Sequence, residues 1–269
     1  MSCQIHPMAY VASSAKLGSN VVVGPFSFID DGAQIGDGTV LDTHVVIGKN
    51  IQIGKNNRIF AGAVLGRPPQ ILGFDDNTKI GRLVIGDNNT IREHVTIHPS
   101  MYPDQSTIIG SGNLLMINVH LGHDCVLGDK IVISNASQIS GHCRIETGAW
   151  LSGMVAVHQF VTIGKWCYAA GFTGINRDVP PFVIVSGHYP VEVRAINKRG
   201  LARAGLNEEQ QAKIYEAFKF IWRSEGTVME QVKLLAARDG LDENVKAICD
   251  AMLTSSLQRF GRNLELHRQ

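Results

Sequence analysis

Aliphatic residues recur at every sixth position through the N-terminal part of the chain. The first frame runs Ile5, Val11, Leu17, Val23, Ile29, Ile35, Leu41, Ile47, Ile53, Ile59, Leu65. It resumes two residues out of phase as Ile85, Ile91, Ile97, then Ile109, Leu115, Leu121, Leu127, Ile133, Ile139, Ile145, Leu151, Val157, Ile163. A period of six is neither that of an α-helix nor that of an alternating strand. It predicts short strands in coils of 18 residues that stack at roughly 4.8 Å, each strand pointing one aliphatic side chain at the axis.

Two interruptions of this pattern predict projecting loops. The first, at 66–84, contains Arg-Pro-Pro-Gln, and the second, at 98–108, contains Pro-Ser-Met-Tyr-Pro-Asp. Proline and turn-forming residues between periodic segments are typical of loops. An irregular β-sandwich is the alternative fold, but its strands would not hold one phase over ten steps. We therefore predict a parallel β-helix over residues 1–188.

Capping residues predict a helical C-terminal part. Asn207 with Gln210, and Thr227 with Glu230, have the spacing of capping boxes. Each pair precedes apolar residues at helical spacing, and a third helix is expected to follow. The chain is therefore expected to end in an α-helical domain over residues 189–269.

The composition is that of a folded globular protein. Of 269 residues, 44% are hydrophobic and 18% charged, with a net charge of +1. This balance gives no reason to expect a nucleic-acid partner, and no apolar stretch is long enough to predict an integral membrane segment. The N-terminal residues predict no signal peptide. The five cysteines form no CxxC pair, so we expect reduced thiols and a cytoplasmic protein.

The 18-residue coil also predicts which side chains share a corner of the prism. His123, His142 and His158 fall at nearly the same position on successive coils, and His120 lies further round. The same count places His98 elsewhere. Three imidazoles in register favour a general base with supporting histidines or a zinc site, whereas isolated histidines are often half-buried turn residues.

An acidic neighbour favours the base over the metal. Asp124 follows His123 directly, where a carboxylate can orient the imidazole, so no metal ligand is predicted. A zinc prism resembling hexapeptide-repeat carbonic anhydrases remains the alternative. Cys125 and Cys143 are separated by the length of one coil, so they are expected to stack as buried thiols.

Four segments carry a family resemblance. LLMINVHLGHDCVLGD (114–129), SGHCRIE (140–146), GMVAVHQFVTIG (153–164) and RDVPPFVIVSG (177–187) resemble the UDP-N-acetylglucosamine acyltransferases of lipid A biosynthesis. The resemblance implies a left-handed winding, an exception to the right-handed crossover rule. It also implies a homotrimer without cofactor that transfers a 3-hydroxyacyl group from acyl carrier protein to the 3-hydroxyl of UDP-N-acetylglucosamine, the first step of that pathway.

The same resemblance assigns residue roles. It makes His123 the general base, Asp124 the carboxylate that holds it, and the Gly141 N–H the oxyanion donor. Substrate contacts are implied for Gln70, His120, His142, His158, Gln159, Gly171, Asn197 and Arg203. Of these, Asn197 and Arg203 would serve the pantetheine arm and the UDP phosphates. Gly171 would leave room for a medium-to-long acyl chain. Basic residues near the end of the prism are expected to dock the acidic carrier: Lys165, Arg194, Lys198, Arg199 and Arg203.

The first loop departs from the family pattern. An acidic residue and then a lysine usually follow the glutamine aligned with Gln70, but here Ile71 and Gly73 take their places. This leaves open an N-acyltransferase acting on a 3-amino UDP-sugar. An acetyltransferase that uses coenzyme A is a further alternative within the same fold.

Overall fold

Three sheets of short strands wind around one axis. The computed structural model describes residues 2–75 and 77–267; residues 1, 76, 268 and 269, which the predicted domains include, lie outside the described residues. The sheets have 11, 9 and 8 strands, and consecutive strands belong to consecutive sheets as far as Gly174–Ile175. The predicted left-handed parallel β-helix followed by helices is confirmed.

Nearly all strands contain only two residues. The first sheet contains Gln4–Ile5, Val22–Val23, Val40–Leu41, Arg58–Ile59, Thr90–Ile91, Leu114–Leu115, Val132–Ile133, Trp150–Leu151, Tyr168–Ala169, Val183–Ser186 and Glu192–Ile196. The second contains Tyr10–Val11, Phe28–Ile29, Val46–Ile47, Val64–Leu65, Thr96–Ile97, His120–Leu121, Gln138–Ile139, Ala156–Val157 and Gly174–Ile175. The third contains Lys16–Leu17, Gln34–Ile35, Gln52–Ile53, Arg82–Ile85, Ser106–Ile109, Val126–Leu127, Arg144–Ile145 and Thr162–Ile163.

The hexad residues form the core along the axis. In the second sheet Leu121 pairs with Ile139, which pairs with Val157, and each is at most 2% exposed. Gln138, on the same strand as Ile139, points outward and is exposed. The period of six therefore corresponds to one inward side chain per strand, as the sequence predicts.

The cysteines are free thiols. Cys125 and Cys143 are buried at corresponding positions of adjacent coils, as predicted. Burial raises the pKa of Cys143, which disfavours the reactive thiolate.

The first sheet extends beyond the predicted domain boundary at residue 188. The strand Glu192–Ile196 pairs antiparallel with Val183–Ser186. Its sequence, Glu-Val-Arg-Ala-Ile, alternates with a period of two, which a search for hexads does not detect.

Helices follow directly. They are α1 (Lys198–Arg203), α2 (Glu208–Arg223), α3 (Val228–Ala236) and α4 (Glu243–Ser256), with a 3-10 helix at Asn263–His267. Both predicted capping boxes are formed, at Asn207 and Thr227. None of the helices in the described ranges combines the length and apolarity that a membrane span requires.

Both projecting loops leave the prism at one corner. Residues 66–81 and 98–105 each connect a strand of the second sheet to a strand of the third. The loops contact each other, because the Gly81 N–H donates to the Ser100 carbonyl at 2.9 Å. The other corners described are short turns, so this corner is where the fold concentrates its irregular structure.

The inward hexad positions are expected to determine the stability of the prism. Ile139→Ala removes a side chain that is 0% exposed, so the free energy of unfolding should fall by about 2–5 kcal/mol. Gln138→Ala on the same strand should change it by less than about 0.5 kcal/mol. Denaturant unfolding of both variants measures the difference, and equal effects would contradict the assignment of the core.

Candidate active site

The histidine corner is the turn between the second and third sheets on three successive coils. Here residues 122–124, 140–142 and 158–160 occupy the same turn, because Leu121, Ile139 and Val157 are paired. Stacking therefore puts one set of three side chains above the next at about 4.8 Å. The structure confirms that His123, His142 and His158 share one corner.

A left-handed backbone fixes the last residue of each turn. Asp124 and His142 both have φ of 60°, and Phe160 has φ of 66°. Residues other than glycine seldom adopt this conformation, and Asp is among those that tolerate it best. Repetition of this turn places Asp124, His142 and Phe160 in one column. The ring of His142 stacks on Phe160, with centroids 4.6 Å apart and planes at 10°.

His123 and Asp124 form a hydrogen-bonded pair. Nδ1 of His123 lies 2.7 Å from Oδ2 of Asp124. The Asp124 side chain is 5% exposed, whereas that of His123 is 19% exposed, so the imidazole reaches solvent and the carboxylate does not. A carboxylate can only accept, so Nδ1 carries the proton in this pair and Nε2 keeps its lone pair. This is the tautomer that a general base needs.

Three donors hold Asp124 in its ionised form. Burial acts to raise the pKa of Asp124, but hydrogen bonds from His123, the Ser100 hydroxyl and the Met101 N–H outweigh it and keep the pKa below its usual value. Its own N–H donates to Thr107 Oγ1 at 2.8 Å. Asp124 is therefore a fixed anion at the base of the corner.

His142 faces both members of the pair. Its ring meets that of His123 edge to face, with centroids 5.0 Å apart, and its Nε2 lies 3.9 Å from Asp124 Oδ2. Burial, opposed by the charge of Asp124 and assisted by His123, lowers the pKa of His142. A neutral imidazole at this position can donate or accept a hydrogen bond from a bound substrate.

Gly141 makes room for the imidazole of His123. A Cβ at this position would lie 2.8 Å from Cε1 and 2.9 Å from Nε2 of His123, so any side chain there would displace the ring. The Gly141 N–H donates to no backbone carbonyl in the described part of the chain. A backbone N–H in this place, beside the lone pair of a base, is suited to stabilise a developing oxyanion.

His98 lies next to this corner, and its predicted position elsewhere is wrong. Thr96 pairs with His120, because the second loop lengthens the regular coil by one hexad. His98 therefore sits below Gly122, with its ring 5.3 Å from that of His120. Its Nδ1 lies 2.9 Å from the Arg67 carbonyl, and its buried Nε2 has no partner in the described part of the chain.

His120 is held as a neutral imidazole. Its Nδ1 lies 2.8 Å from Thr96 Oγ1. Burial, assisted by His98 and His123, lowers the pKa of His120 to about 4. The side chain is half-buried on the face that leads to His123, consistent with a hydrogen-bonding group rather than a charge.

The same corner contains three potential metal ligands. Donor atoms of His123, Asp124 and His142 all lie within 4.8 Å of one another. The 2.7 Å separation of His123 Nδ1 from Asp124 Oδ2 is that of a hydrogen bond. Two ligands of one tetrahedral zinc ion would lie about 3.4 Å apart. The spacing therefore favours a shared proton over a shared ion.

Other predicted site residues are divided between this corner and the rest of the surface. His158 and Gln159, in the turn of the third coil, belong to the corner, whereas Gln70 is an exposed residue of the first loop. Nδ1 of His158 lies 3.0 Å from the Gln159 carbonyl. Gly171 lies instead in the turn between the first and second sheets.

Asn197 and Arg203 lie away from the corner. Asn197 is 4% exposed and caps α1, accepting from the Gly200 N–H at 3.0 Å and donating to the Trp166 carbonyl at 2.8 Å. Its predicted substrate contact is not supported, because both ends of its amide are occupied within the chain. The guanidinium of Arg203 lies 4.9 Å from the ring of Trp150, on the first sheet.

The second loop supplies functional contacts that the sequence analysis missed. Ser100, Met101 and Thr107 contact Asp124, and the ring of Tyr102 lies 6.0 Å from that of His142. The signal available was the position of the loop, which interrupts the hexads one coil before His123. Residues inside such a loop do not follow the hexad period, so their contacts cannot be predicted by counting positions.

Comparisons with known proteins find relatives for most of the chain. A family described as "Udp N-acetylglucosamine O-acyltransferase; Domain 2" matches residues 178–261. The acyl-[acyl-carrier-protein]--UDP-N-acetylglucosamine O-acyltransferase of Ectopseudomonas mendocina is 43% identical over 253 residues, 94% of this chain and 97% of the relative. The enzyme of the same name from Gloeothece citriformis is 44% identical over 179 residues, which span 66% of this chain and 64% of that protein.

Solved structures extend the likeness to the whole fold. A UDP-N-acetylglucosamine acyltransferase from Francisella novicida superposes with a TM-score of 0.87 and 36% identity, covering 93% of this chain and 91% of that one. The enzyme from Bacteroides fragilis gives 0.85 and 33%, covering 92% and 96%. Because a relative of nearly full length and these structures agree, the chain belongs to the UDP-N-acetylglucosamine acyltransferase family.

Proposed function

We propose that the protein transfers a 3-hydroxyacyl group from acyl carrier protein to the 3-hydroxyl of UDP-N-acetylglucosamine, with His123 as general base. The observation that carries the proposal is the 2.7 Å contact of His123 Nδ1 with an ionised Asp124, beside the N–H of Gly141. The relatives that cover most of this chain are named for this O-acyl transfer.

The first step is proton removal from the sugar hydroxyl. Nε2 of His123 accepts the proton as the hydroxyl oxygen attacks the thioester carbonyl carbon, forming the new C–O bond. The imidazole becomes a cation, and Asp124, 2.7 Å from Nδ1, stabilises that charge. The thioester is already activated, so neither a metal nor a redox cofactor is needed for this chemistry.

The second step is collapse of the tetrahedral intermediate. The carbonyl oxygen carries the negative charge, and the N–H of Gly141 donates to it. The C–S bond then breaks, and the thiolate of the pantetheine arm takes the proton from the His123 cation. This returns His123 to its starting form and releases the carrier as a thiol.

Neighbouring imidazoles are suited to hold the sugar. His120 and His142 are both less basic than an exposed histidine, so each faces the substrate as a neutral group. His158 and Gln159 extend the corner by one coil, and we include Gln70 of the first loop, which leaves the prism at the same corner, among the substrate contacts. O-acylation is favoured over N-acylation by the names of the relatives, although Ile71 and Gly73 lack the charges expected in that loop.

A trimer would bring the remaining predicted residues to the site. Gly171 and Arg203 lie on other faces of the same prism, so one chain alone does not assemble the full predicted set. A second copy packed against the histidine corner would supply these faces and close an open groove. We therefore include a homotrimer, with active sites between prisms, in the proposal.

Basic side chains near the prism end form a surface for an acidic carrier. Arg194 and Lys198 line a cavity of about 730 Å³ together with Lys219 and Arg223 of α2. An acidic protein would be attracted to such a surface over roughly a Debye length. We propose that acyl carrier protein docks here and that the reaction takes place in the cytoplasm.

Loss of the base should abolish most of the activity. His123→Ala is expected to lower kcat for acyl transfer by roughly 10²–10⁴-fold, because no other imidazole in the described part of the chain is hydrogen-bonded to a carboxylate. Steady-state kinetics with an acyl-carrier donor measure the effect. His6→Ala, at an exposed position of the first coil, is the control and should retain wild-type turnover.

Two results would overturn the proposed mechanism. Turnover of His123→Ala within a few-fold of wild type would remove His123 as the base. Loss of wild-type activity after treatment with EDTA would indicate the metal alternative, since the ligands available are His123, Asp124 and His142.

The neutral state of His120 predicts a pH-dependent stability. Its pKa is about 4 in the folded chain against 6.5 for a free imidazole, so below pH 6.5 the unfolded chain binds a proton that the native state does not. The contribution of the neutral His120 to the free energy of unfolding is fully present above pH 6.5 and is lost as the pH falls towards 4. His120→Gln should therefore lose less stability than wild type between pH 7 and pH 5.

Denaturant midpoints at the two pH values measure this difference. Asp178, whose pKa burial raises to about 6, contributes in the opposite direction in both proteins and cancels in the comparison. His6→Gln should behave as wild type. An unchanged pH dependence in His120→Gln would contradict a native imidazole held neutral.

Gly171 is expected to set the acyl-chain length. A Cβ there would have Gly153 O, at 3.5 Å, as its nearest neighbour, so the chain itself tolerates a side chain at this position. Gly171→Met should lower kcat/KM for long 3-hydroxyacyl donors by at least about tenfold and spare shorter ones, because excluding two buried methylenes costs about 1.6 kcal/mol.

A donor series on acyl carrier protein tests the length preference. Gly153→Met, one coil away and equally open with Asn135 O at 3.5 Å, is the matched control and should keep the wild-type profile. A wild-type preference for the shortest donors would rule out the medium-to-long chain.

A further inference from the structure

The second projecting loop and the strand that follows it, Ser106–Ile109, both hold Asp124. At the start of the loop, the Ser100 hydroxyl donates to Oδ1 of Asp124, and the Met101 N–H donates to Oδ2 at 3.2 Å. At the return, Thr107 Oγ1 accepts from the Asp124 N–H at 2.8 Å. Asp124 itself contacts His123, so the loop is one residue removed from the base.

Ser100 is fixed in position by its neighbours. It is 0% exposed, its N–H donates to the Arg82 carbonyl at 3.2 Å, and its carbonyl accepts from the Gly81 N–H at 2.9 Å. The end of the first loop and the start of the strand that follows it therefore hold its backbone. A hydroxyl buried in this way has few rotamers open to it, so its direction is set before substrate binds.

The Ser100 hydroxyl has two possible acceptors, and charge decides between them. Oγ contacts Asp124 Oδ1 and also lies 3.1 Å from the Tyr102 carbonyl. It has one proton to donate, and the ionised carboxylate is the stronger acceptor and the nearer one. The Tyr102 N–H donates to Oγ at 3.0 Å, which polarises the hydroxyl further towards the carboxylate.

Fixing one carboxylate oxygen determines what the other can do. Three groups face Oδ2: Nδ1 of His123 at 2.7 Å, the Met101 N–H at 3.2 Å and Nε2 of His142 at 3.9 Å. If Oδ1 were free, the Met101 N–H alone would oppose a rotation of the carboxylate that brings either oxygen to either ring. With Oδ1 bonded to Ser100, Oδ2 stays directed at His123.

We propose that Ser100 is a positioning residue for acyl transfer, whose hydroxyl anchors Asp124 so that this carboxylate orients and stabilises His123. The inference rests on the proposed function, since it assigns Ser100 a part in the same proton transfer. Ser100 touches neither substrate nor the reacting atoms, and it acts on the reaction only through Asp124.

A double-mutant cycle with Asp124 tests the proposal. Ser100→Ala should lower kcat roughly tenfold, the effect of losing one hydrogen bond to a charged group, and leave the KM for UDP-N-acetylglucosamine within about twofold. Ser100→Thr, which keeps the hydroxyl, should restore kcat. In an Asp124→Gly background, Ser100→Ala should have no further effect on kcat; glycine suits the backbone there, where φ is 60°.

The outcomes distinguish a role of Ser100 in positioning Asp124 from a role in supporting the loop. Equal fractional losses of kcat from Ser100→Ala in both backgrounds, or an unchanged kcat, would overturn the proposal. Ser106→Ala, in the first residue of the strand that follows the loop and without a hydrogen bond to Asp124 in the described part of the chain, is the control and should retain wild-type kcat. The proposed function fails separately, if the wild-type protein transfers no acyl group or His123→Ala keeps its activity.

Discussion

One inward aliphatic side chain every six residues is the constraint on which the structure depends. Most strands contribute one buried aliphatic side chain to the interior, and the residue two positions before it, such as Val119 before Leu121, is buried at the preceding turn. Parallel hydrogen bonding then stacks equivalent positions directly above one another. A chain built in this way brings residues one coil apart in sequence to within about 5 Å of each other. In the histidine corner, this stacking brings together ionisable side chains from successive coils.

Charge and burial give the members of the corner different roles. Asp124 is more deeply buried than His123 and His142 and is kept ionised by the donors around it. His120 and His142 are partly desolvated and lose basicity, while His123 reaches both the anion and the solvent. The three imidazoles lie in similar surroundings, and the hydrogen bond to Asp124 is what distinguishes His123 from His120 and His142. The base in the proposed mechanism, His123, is the ring that is hydrogen-bonded to the carboxylate.

Periodic features could be predicted from the sequence, and aperiodic ones could not. The hexads predict the coils, the core and the shared corner of His123, His142 and His158, because each follows from counting in whole coils. The count fails for His98, since the second loop adds a hexad between Thr96 and His120. Ser100 lies inside that loop, where position depends on tertiary contacts alone. The role of Asn197 could not be predicted for another reason: it caps α1, and this depends on where that helix begins.

The two excursions show that a coil can be lengthened without disturbing the ladder. Val64 pairs with Thr96 and Thr96 pairs with His120, although both separations along the chain exceed one regular coil. The excess at the first loop is not a whole number of hexads, yet the inward and outward faces stay in register on both sides. Insertions and deletions at this edge therefore leave the stacking of the coils unchanged. Selection can reshape the rim of the site one residue at a time, while the scaffold that aligns the reacting groups is inherited unchanged.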